Sequence, residues 1–410
     1  MPTKRFYRLF LLTIVLYLFA NQTQVGWLYV IVSLLAGVIL FSWIINRRAI
    51  RQISAVREID LRDEYYEGEI VEISLNLATS SNMGGYQLLL DELCPIADPD
   101  GDLFLQQWFV EAINAQPPTI NYDVELYKRG LFDFPAVEMT SRFPFGLFQR
   151  SNYSEGLVSD ETLSLLVYPE IKPLRRLPLL DRQPAAEMVY PRAGSGNEFL
   201  ALRQYQHGDS PRHIHWRSVA RTGQLISKEF ADESLPGMAL LIDRQRYSDE
   251  ESENEHGRSK HTPFETAVKI AASLGDYALR NGHALTIVDN EAPRGAVTAD
   301  MLLQYLARVE ADQDQPFNEK LDLIQQNYLA VVLPYPNQKA IDGLVELKQR
   351  GIAILAILLD ESTFPNRRVE ACLNPLGAAR YAPTLENYEI ECHIIKHGED
   401  WAEIIGEEHA

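Results

Sequence analysis

"FETAVKIAASLGDYALRNGHALTIVD" (Phe264–Asp289) decides the fold of the largest domain of this 410-residue chain. Its first part is an amphipathic helix that stops at Gly282, and its last part, "HALTIVD", is a short apolar strand. The same cadence runs outward in both directions. Upstream lies the buried-strand run "MALLID" (Met238–Asp243). Downstream come the helix "ADMLLQYLARVE", the strand "NYLAVVLP", the helix "NQKAIDGLVELKQRG" ending at Gly351, and the strand "IAILAILLD". Strands that are apolar almost throughout, alternating with helices, predict a mostly parallel sheet covered on both faces. Residues 237–410 are therefore expected to form an α/β, Rossmann-like domain. In such sheets ligands and partners meet the C-terminal strand ends. Asp243, Asp289 and Asp360 each close a strand and are candidate residues on that edge.

Between the first strand and its helix lies "SDEESENEHGRSK" (Ser248–Lys260), acidic and almost free of apolar residues. It reads as a solvated mobile loop rather than a cation site. Residues 52–168 change the period to two. "EIVEISLNLAT" (Glu69–Thr79) and "INYDVELYKRG" alternate apolar and polar positions, with Gly84-Gly85, Pro117-Pro118, Pro135 and Pro144 as punctuation. An antiparallel β-sandwich-like domain is expected. "FPFGLFQR" (Phe143–Arg150) reads as a turn whose aromatics pack against the following domain.

Residues 1–51 read as a transmembrane helical hairpin. "FYRLFLLTIVLYLFA" (Phe6–Ala20) and "WLYVIVSLLAGVILFSWII" (Trp27–Ile45) are separated only by "NQTQVG". The second run approaches the ~20 residues that span a bilayer. The first is shorter and recruits Tyr7 and Arg8 at the interface. Lys4, Arg5, Arg8, Arg47, Arg48 and Arg51 flank the open ends and no charge lies in the turn. The positive-inside rule then places both ends, and the bulk of the chain, in the cytoplasm. Trp27 and Trp43 fit interfacial anchors. A cleaved signal peptide is disfavoured, because no small-residue cleavage site follows the first run and a second span does.

A net charge of −19 argues against broad nucleic-acid binding, and 46% hydrophobic with 23% charged residues excludes both global disorder and a wholly membrane-buried chain. Cys94, Cys372 and Cys392 form no C-x-x-C motif and read as free thiols in a reducing compartment.

Residues 169–236 form a separate, Arg-rich segment. Within it, "DSPRHIHWRSVARTG" predicts a helix capped by Asp209 or Ser210, with Pro211 first and Gly223 as the stop. His213, Arg217 and Arg221 then share one stripe, while Trp216 and Ala220 share another that can face the core. "QLISKEF" predicts a strand. Four readings stay open: a salt-bridge lattice of Glu198, Asp209, Glu229 and Glu233 with the arginines; a docking surface for an acidic partner or an anion; a zinc site at His207, Asp209, His213 and His215; and acid–base or nucleophilic catalysis, for which no triad order is visible.

At these residues the chain resembles the bacterial "domain of unknown function 58" family. The resemblance rests on Gly194, Gly196, Glu198, Phe199, Leu202, Arg203, Tyr205, Gly208, Asp209, Arg212, Ile214, Trp216, Ala220, Arg221, Gly223, Leu225 and Lys228. Arg129-Gly130, the "PFGLF" run and Tyr168-Pro169 extend it. It implies a membrane hairpin, a β domain, a von Willebrand factor A-like C-terminal domain and a MoxR-type AAA+ ATPase as partner. It implies no reaction and no cofactor. Its site residues would be Glu198, Arg203, Asp209, Arg212, Trp216, Arg217, Arg221 and Lys228. A von Willebrand A domain that holds Mg²⁺ carries D-x-S-x-S after its first strand. Here Asp243, Gln245 and Tyr247 occupy those positions with Arg244 and Arg246 between them, so no divalent cation is expected to bind. The resulting expectation is a non-enzymatic, membrane-tethered scaffold in the bacterial inner membrane that helps assemble envelope or other complexes with other envelope proteins. The alternative is an enzyme or sensor that binds a phosphorylated or anionic ligand at the Arg-rich helix.

Overall fold

The structure, a computed structural model, describes residues 1–50, 53–60, 62, 64–79, 85–97, 103–113, 118–154, 163–181, 193–204, 214–231, 235–245, 262–293, 295–311, 317–365 and 377–406. These form two compact units, one of Met1–Tyr168 and one from Pro169 onward. The loop 248–260, Cys372, Tyr247, His207, Ser210, Pro211 and His213 lie outside the described residues.

The first unit opens with α1 (Lys4–Thr23) and α2 (Gly26–Ala49). Thr3 caps α1 by accepting from the Phe6 N–H, and Gln24 ends it in the left-handed region at φ 51°, its N–H returning to the Ala20 carbonyl. The chain then doubles back, with the Tyr17 and Tyr29 rings 6.5 Å apart across the turn. Both helices are long and apolar enough to cross a membrane. α1 is longer than its apolar run because helix continues into Lys4-Arg5 and Asn21–Thr23; 20 residues at ~1.5 Å each reach ~30 Å.

Among the described residues ten strands follow: β1 (Ile53–Ile59), β2 (Tyr65–Tyr66), β3 (Ile70–Thr79), β4 (Gly85–Ala97), β5 (Leu103–Ile113), β6 (Thr119–Glu125), β7 (Gly130–Asp133), β8 (Val137–Ser141), β9 (Arg150–Ser154) and β10 (Ser164–Tyr168). They build sheets in the orders β1-β3-β6, β5-β4-β8-β9 and β2-β10-β7. The predicted alternation in β3 holds: Val71, Ile73, Leu75 and Leu77 are buried while Ile70 and Glu72 are exposed. That inner face shares one apolar core with Leu88, Leu90 and Cys94 of β4 and Val137 and Met139 of β8, the layering of a sandwich.

The β8–β9 turn corrects one expectation. Phe148 packs on the helical hairpin of the same unit, against Phe6 with ring centroids 5.0 Å apart, Phe143 stacks on Tyr86 of β4, and Phe145 is exposed. Thr3 binds the same turn: its N–H donates to the Leu147 carbonyl at 2.9 Å and its hydroxyl to the Gly146 carbonyl at 2.7 Å. From the far end of α2, Asn46 Nδ2 donates to the carbonyls of Ser141 (3.2 Å) and Phe143 (3.1 Å). Sequence distance hid this: more than 90 residues separate Asn46 from its acceptors.

The second unit runs α3 (Pro178–Asp181), β11 (Ala193–Gln204), α4 (Trp216–Thr222), β12 (Ile226–Ala231), β13 (Leu235–Ile242), α5 (Pro263–Arg280), β14 (Leu285–Ile287), α6 (Ala299–Arg308), α7 (Phe317–Leu321), β15 (Gln326–Leu333), α8 (Gln338–Gln349), β16 (Ala353–Leu359), α9 (Ala382–Asn387), β17 (Glu391–Ile395) and α10 (Trp401–Gly406). Strands β14-β13-β15-β16-β17 lie side by side in that order, all parallel. Alternate side chains feed two cores. Leu240, Ile242, Val332 and Ile357 face Phe264, Val268 and Leu302, while Leu241, Val331, Leu333 and Leu358 face Phe317, Ile341 and Leu344. Helices on both faces explain why these strands read as continuous apolar runs. α5 starts where Thr262 accepts from the Glu265 N–H at 3.1 Å, with Pro263 in its first turn. β17 and its flanking helices extend the sheet beyond the last strand read in the sequence.

Candidate functional site

Two features of the second unit gather the sequence-flagged residues. The first is the Arg-rich segment. β11 and β12 pair antiparallel, with Leu202 opposite Lys228 and Arg203 opposite Ser227, and the register shifts between Gly194 and Phe199. Glu198 and Arg203 are thus placed on β11 and Lys228 on β12, whereas Asp209 and Arg212 lie outside the described residues.

The helix between these strands is shorter than the spacing predicts. Ile214 bridges Ser227 and the His215 N–H donates to the Ile226 carbonyl at 2.9 Å, so the chain is still extended there and α4 begins only at Trp216. Its stop is as expected. Gly223 adopts φ 72° and returns its N–H to the Val219 carbonyl. His215 is the residue before the helix, and its Nδ1 lies 2.7 Å from the Ser218 hydroxyl.

Trp216 corrects a second expectation. It shares a stripe with Ala220, but that stripe faces outward, and Trp216 is 64% exposed. At about 100° per residue, Ser218 lies on roughly the opposite side of the helix, and Ser218 is the buried one. Arg217 and Arg221 are exposed one turn apart, and Leu225 is also exposed. Among the described residues neither arginine makes an ion pair. The result is an outward surface of one indole, two guanidiniums and one leucine.

The second feature is the strand-end edge. β13 lies between β14 and β15, so its C-terminal end opens on the point where chain connections diverge. Asp243 sits there, 3% exposed. Its Oδ1 accepts from the Gln245 N–H at 3.1 Å and its Oδ2 has no hydrogen-bond partner. Burial pushes its carboxyl up to about 6, against the smaller pull of the Gln245 N–H and the Lys320 ammonium.

Asp289, after β14, has both oxygens engaged. Arg244 Nη1 meets Oδ2 at 2.5 Å, the Tyr305 hydroxyl donates to Oδ2 at 2.8 Å, and Lys320 Nζ donates to Oδ1 at 3.0 Å. Burial alone would raise the Asp289 carboxyl, but Lys320, Tyr305 and Arg244 outweigh it and hold it below the usual carboxylate range. Arg244 also donates from Nε to the Glu310 carbonyl and pairs with Glu291 at 2.9 Å. Where a metal-binding edge would set a hard cation, a guanidinium and an ammonium of the chain itself neutralise the carboxylate. Among the described residues no three His, Cys, Asp or Glu side chains gather as metal ligands. Asp360 serves locally, its Oδ1 accepting from the Ser362 hydroxyl at 2.7 Å and capping the short turn 361–363. The sequence reading named Arg244 only as a flanking charge, and it missed Tyr305 and Lys320. These two stand on α6 and α7, with no local signal linking them to Asp289.

Burial pushes the Cys94 thiol up to about 11 and the Cys392 thiol up to about 12, so neither is a reactive thiolate near neutrality. Both are free.

Residues 201–324 match the family model described as "Protein of unknown function DUF58". The match covers just under a third of the chain. The matched segment spans α4 and β12 as well as Asp243, Arg244, Asp289, Tyr305 and Lys320, whereas Glu198 and Asp360 lie outside it. A Bacillus subtilis relative, "Uncharacterized protein YeaD", is 22% identical over 255 residues, which cover 60% of this chain and 57% of that protein. Two solved structures show weak likenesses. A CARDB domain from Pyrococcus furiosus, at 12% identity and TM-score 0.20, covers 29% of this chain and 91% of its own. A GH20 exo-β-N-acetylglucosaminidase from Vibrio harveyi, at 10% identity and TM-score 0.20, covers 76% of this chain and 57% of its own. Scores of this size carry no argument about fold or activity.

Proposed function

We propose that this chain is a membrane-anchored, non-catalytic interaction protein. In this reading α1 and α2 cross the bacterial inner membrane, both ends of the hairpin face the cytoplasm, and the DUF58 segment presents α4 to a protein partner. One observation carries the reading: Trp216 stands exposed beside Arg217 and Arg221 on a helix that buries Ser218 instead. Tryptophan and arginine are the residue types that dominate binding energy at protein interfaces. A local basic patch on a chain of net charge −19 favours an acidic surface on the partner. The family resemblance points to a MoxR-type AAA+ ATPase, acting in the assembly of envelope or other complexes. It also suggests a von Willebrand A-like character for the second unit. The five-stranded parallel sheet supports that character, with Arg244 and Lys320 standing in for the cation.

The test uses the full chain in lipid nanodiscs and the purified MoxR-type ATPase of the same cell, with binding read by interferometry. Saturable binding is expected, and Trp216→Ala should weaken it by about 30-fold, the loss of roughly 2 kcal/mol typical of an interface hot spot. An unchanged affinity in Trp216→Ala and in Arg217→Ala/Arg221→Ala would remove α4 from the interface. No binding of the wild-type chain would remove the ATPase as partner.

A further inference from the structure

The "PFGLF" run is tied to the base of the helical hairpin from both sides. Thr3, the cap of α1, donates to the carbonyls of Gly146 and Leu147. Asn46, the first polar residue after the apolar run of α2, donates to the carbonyls of Ser141 and Phe143. The turn therefore lies within hydrogen-bond reach of the two points where the apolar helices end. Leu147 is buried, Phe148 packs on Phe6 and Phe143 stacks on Tyr86, yet Phe145 at the tip is 52% exposed. Tyr7 and Trp43, each about one helical turn from these anchors, are exposed too. The charge on the hairpin ends and the turn has one sign. Lys4, Arg5, Arg8, Arg47, Arg48 and Arg142 are exposed. No Asp or Glu occurs in residues 1–57 or 139–154.

We infer that the 142–149 turn is a lipid-contacting element, in which Phe145 inserts at the interface of the leaflet that α1 and α2 enter while Arg5 and Arg142 face anionic phospholipid headgroups. The inference rests on α1 and α2 being membrane spans. If they are, the hydrogen bonds from Thr3 and Asn46 fix the depth of the turn at the bilayer boundary. An exposed aromatic at that depth joins Tyr7 and Trp43 in an interfacial belt, and the basic residues beside it meet the headgroup charge. The run would thus fix how the β domain stands on the membrane.

The full chain in nanodiscs of phosphatidylethanolamine and phosphatidylglycerol tests this with a photo-crosslinking benzoylphenylalanine placed singly at three exposed positions. Leu34, in mid-α2, reports the span; Phe145 reports the turn. Leu105, paired with Leu93 on the part of β4 remote from the Leu88–Ser141 pairing, is the control. Leu34 and Phe145 should both capture lipid, Phe145 at about fivefold or more the yield of Leu105. That yield should rise with the phosphatidylglycerol fraction and fall in Arg5→Gln/Arg142→Gln. Lipid at Leu34 but none at Phe145, or equal yields at Phe145 and Leu105, would overturn the inference and leave the spans intact. No lipid at Leu34 would overturn the spans, and the inference with them.

Discussion

Arg244 and Asp289 meet at 2.5 Å inside the second unit, with side chains only 1% and 3% exposed. They join the second residue after β13 to the second residue after β14, and Lys320 closes the other side of the carboxylate at 3.0 Å. Two cations on one buried carboxylate make that carboxylate the keystone of the edge. Asp289→Asn would take from Lys320 its paired carboxylate and leave Arg244 with only the exposed Glu291. A loss of about 3–5 kcal/mol is expected in the thermal or denaturant unfolding of the second unit. A loss below about 1 kcal/mol would mean that water or another acid already shares the charge.

The same occupancy governs metal binding. Both Asp289 oxygens are taken and Asp243 faces Lys320. Isothermal titration of the full chain with Mg²⁺ or Mn²⁺ should give no saturable heat. A micromolar constant would show that the edge can exchange its internal cations for a metal.

Asp243 sets a pH dependence. Its folded pKa of about 6 lies above its ordinary value of 3.8. Between those values the folded state holds a proton that the unfolded state has released. Its contribution is therefore most favourable below about pH 4, falls as pH rises toward about 6, and stays low above that. Asp243→Asn lacks this dependence. The stability of the variant relative to wild type should improve by about 2.5 kcal/mol between pH 4 and pH 7. A flat difference across that range would show that Asp243 titrates normally.

In the first unit, Arg57 and Glu92 form a fully buried pair at 2.6 Å, with the Tyr122 hydroxyl on the same oxygen at 3.0 Å and Arg57 4.8 Å from the centre of the Phe134 ring. Burial raises the Glu92 carboxyl, opposed by Arg57 and Tyr122. Glu92→Gln should cost about 3–5 kcal/mol, because it strands a guanidinium in the core. Arg57→Met/Glu92→Leu should recover most of that loss. Additive losses in the double-mutant cycle would deny the coupling.

Trp216→Ala should change folding stability by less than about 0.5 kcal/mol, since the indole is exposed. A larger loss on thermal unfolding would assign Trp216 to the scaffold and weaken its role in partner binding.

Periodicity alone determined a good deal of this protein. The period-two alternation of Ile70–Thr79, the apolar strands ending at Asp243, Asp289 and Asp360, and the long apolar runs at the start follow from which faces must leave water. The glycine stop at Gly223 was legible because only a left-handed residue closes a helix that way. What the tertiary structure decided concerns direction and long-range pairing. The Trp216–Ala220 stripe is visible in sequence, but which way it points depends on β12, whose pairing with Ile214 shortens the helix and turns Ser218 inward. The partners of Asp289 come from α6 and α7, and those of Asn46 from a turn more than 90 residues away. Local propensity acts over a few residues, whereas a buried charge or amide finds its partner through chain packing, and spacing along the sequence does not encode that choice.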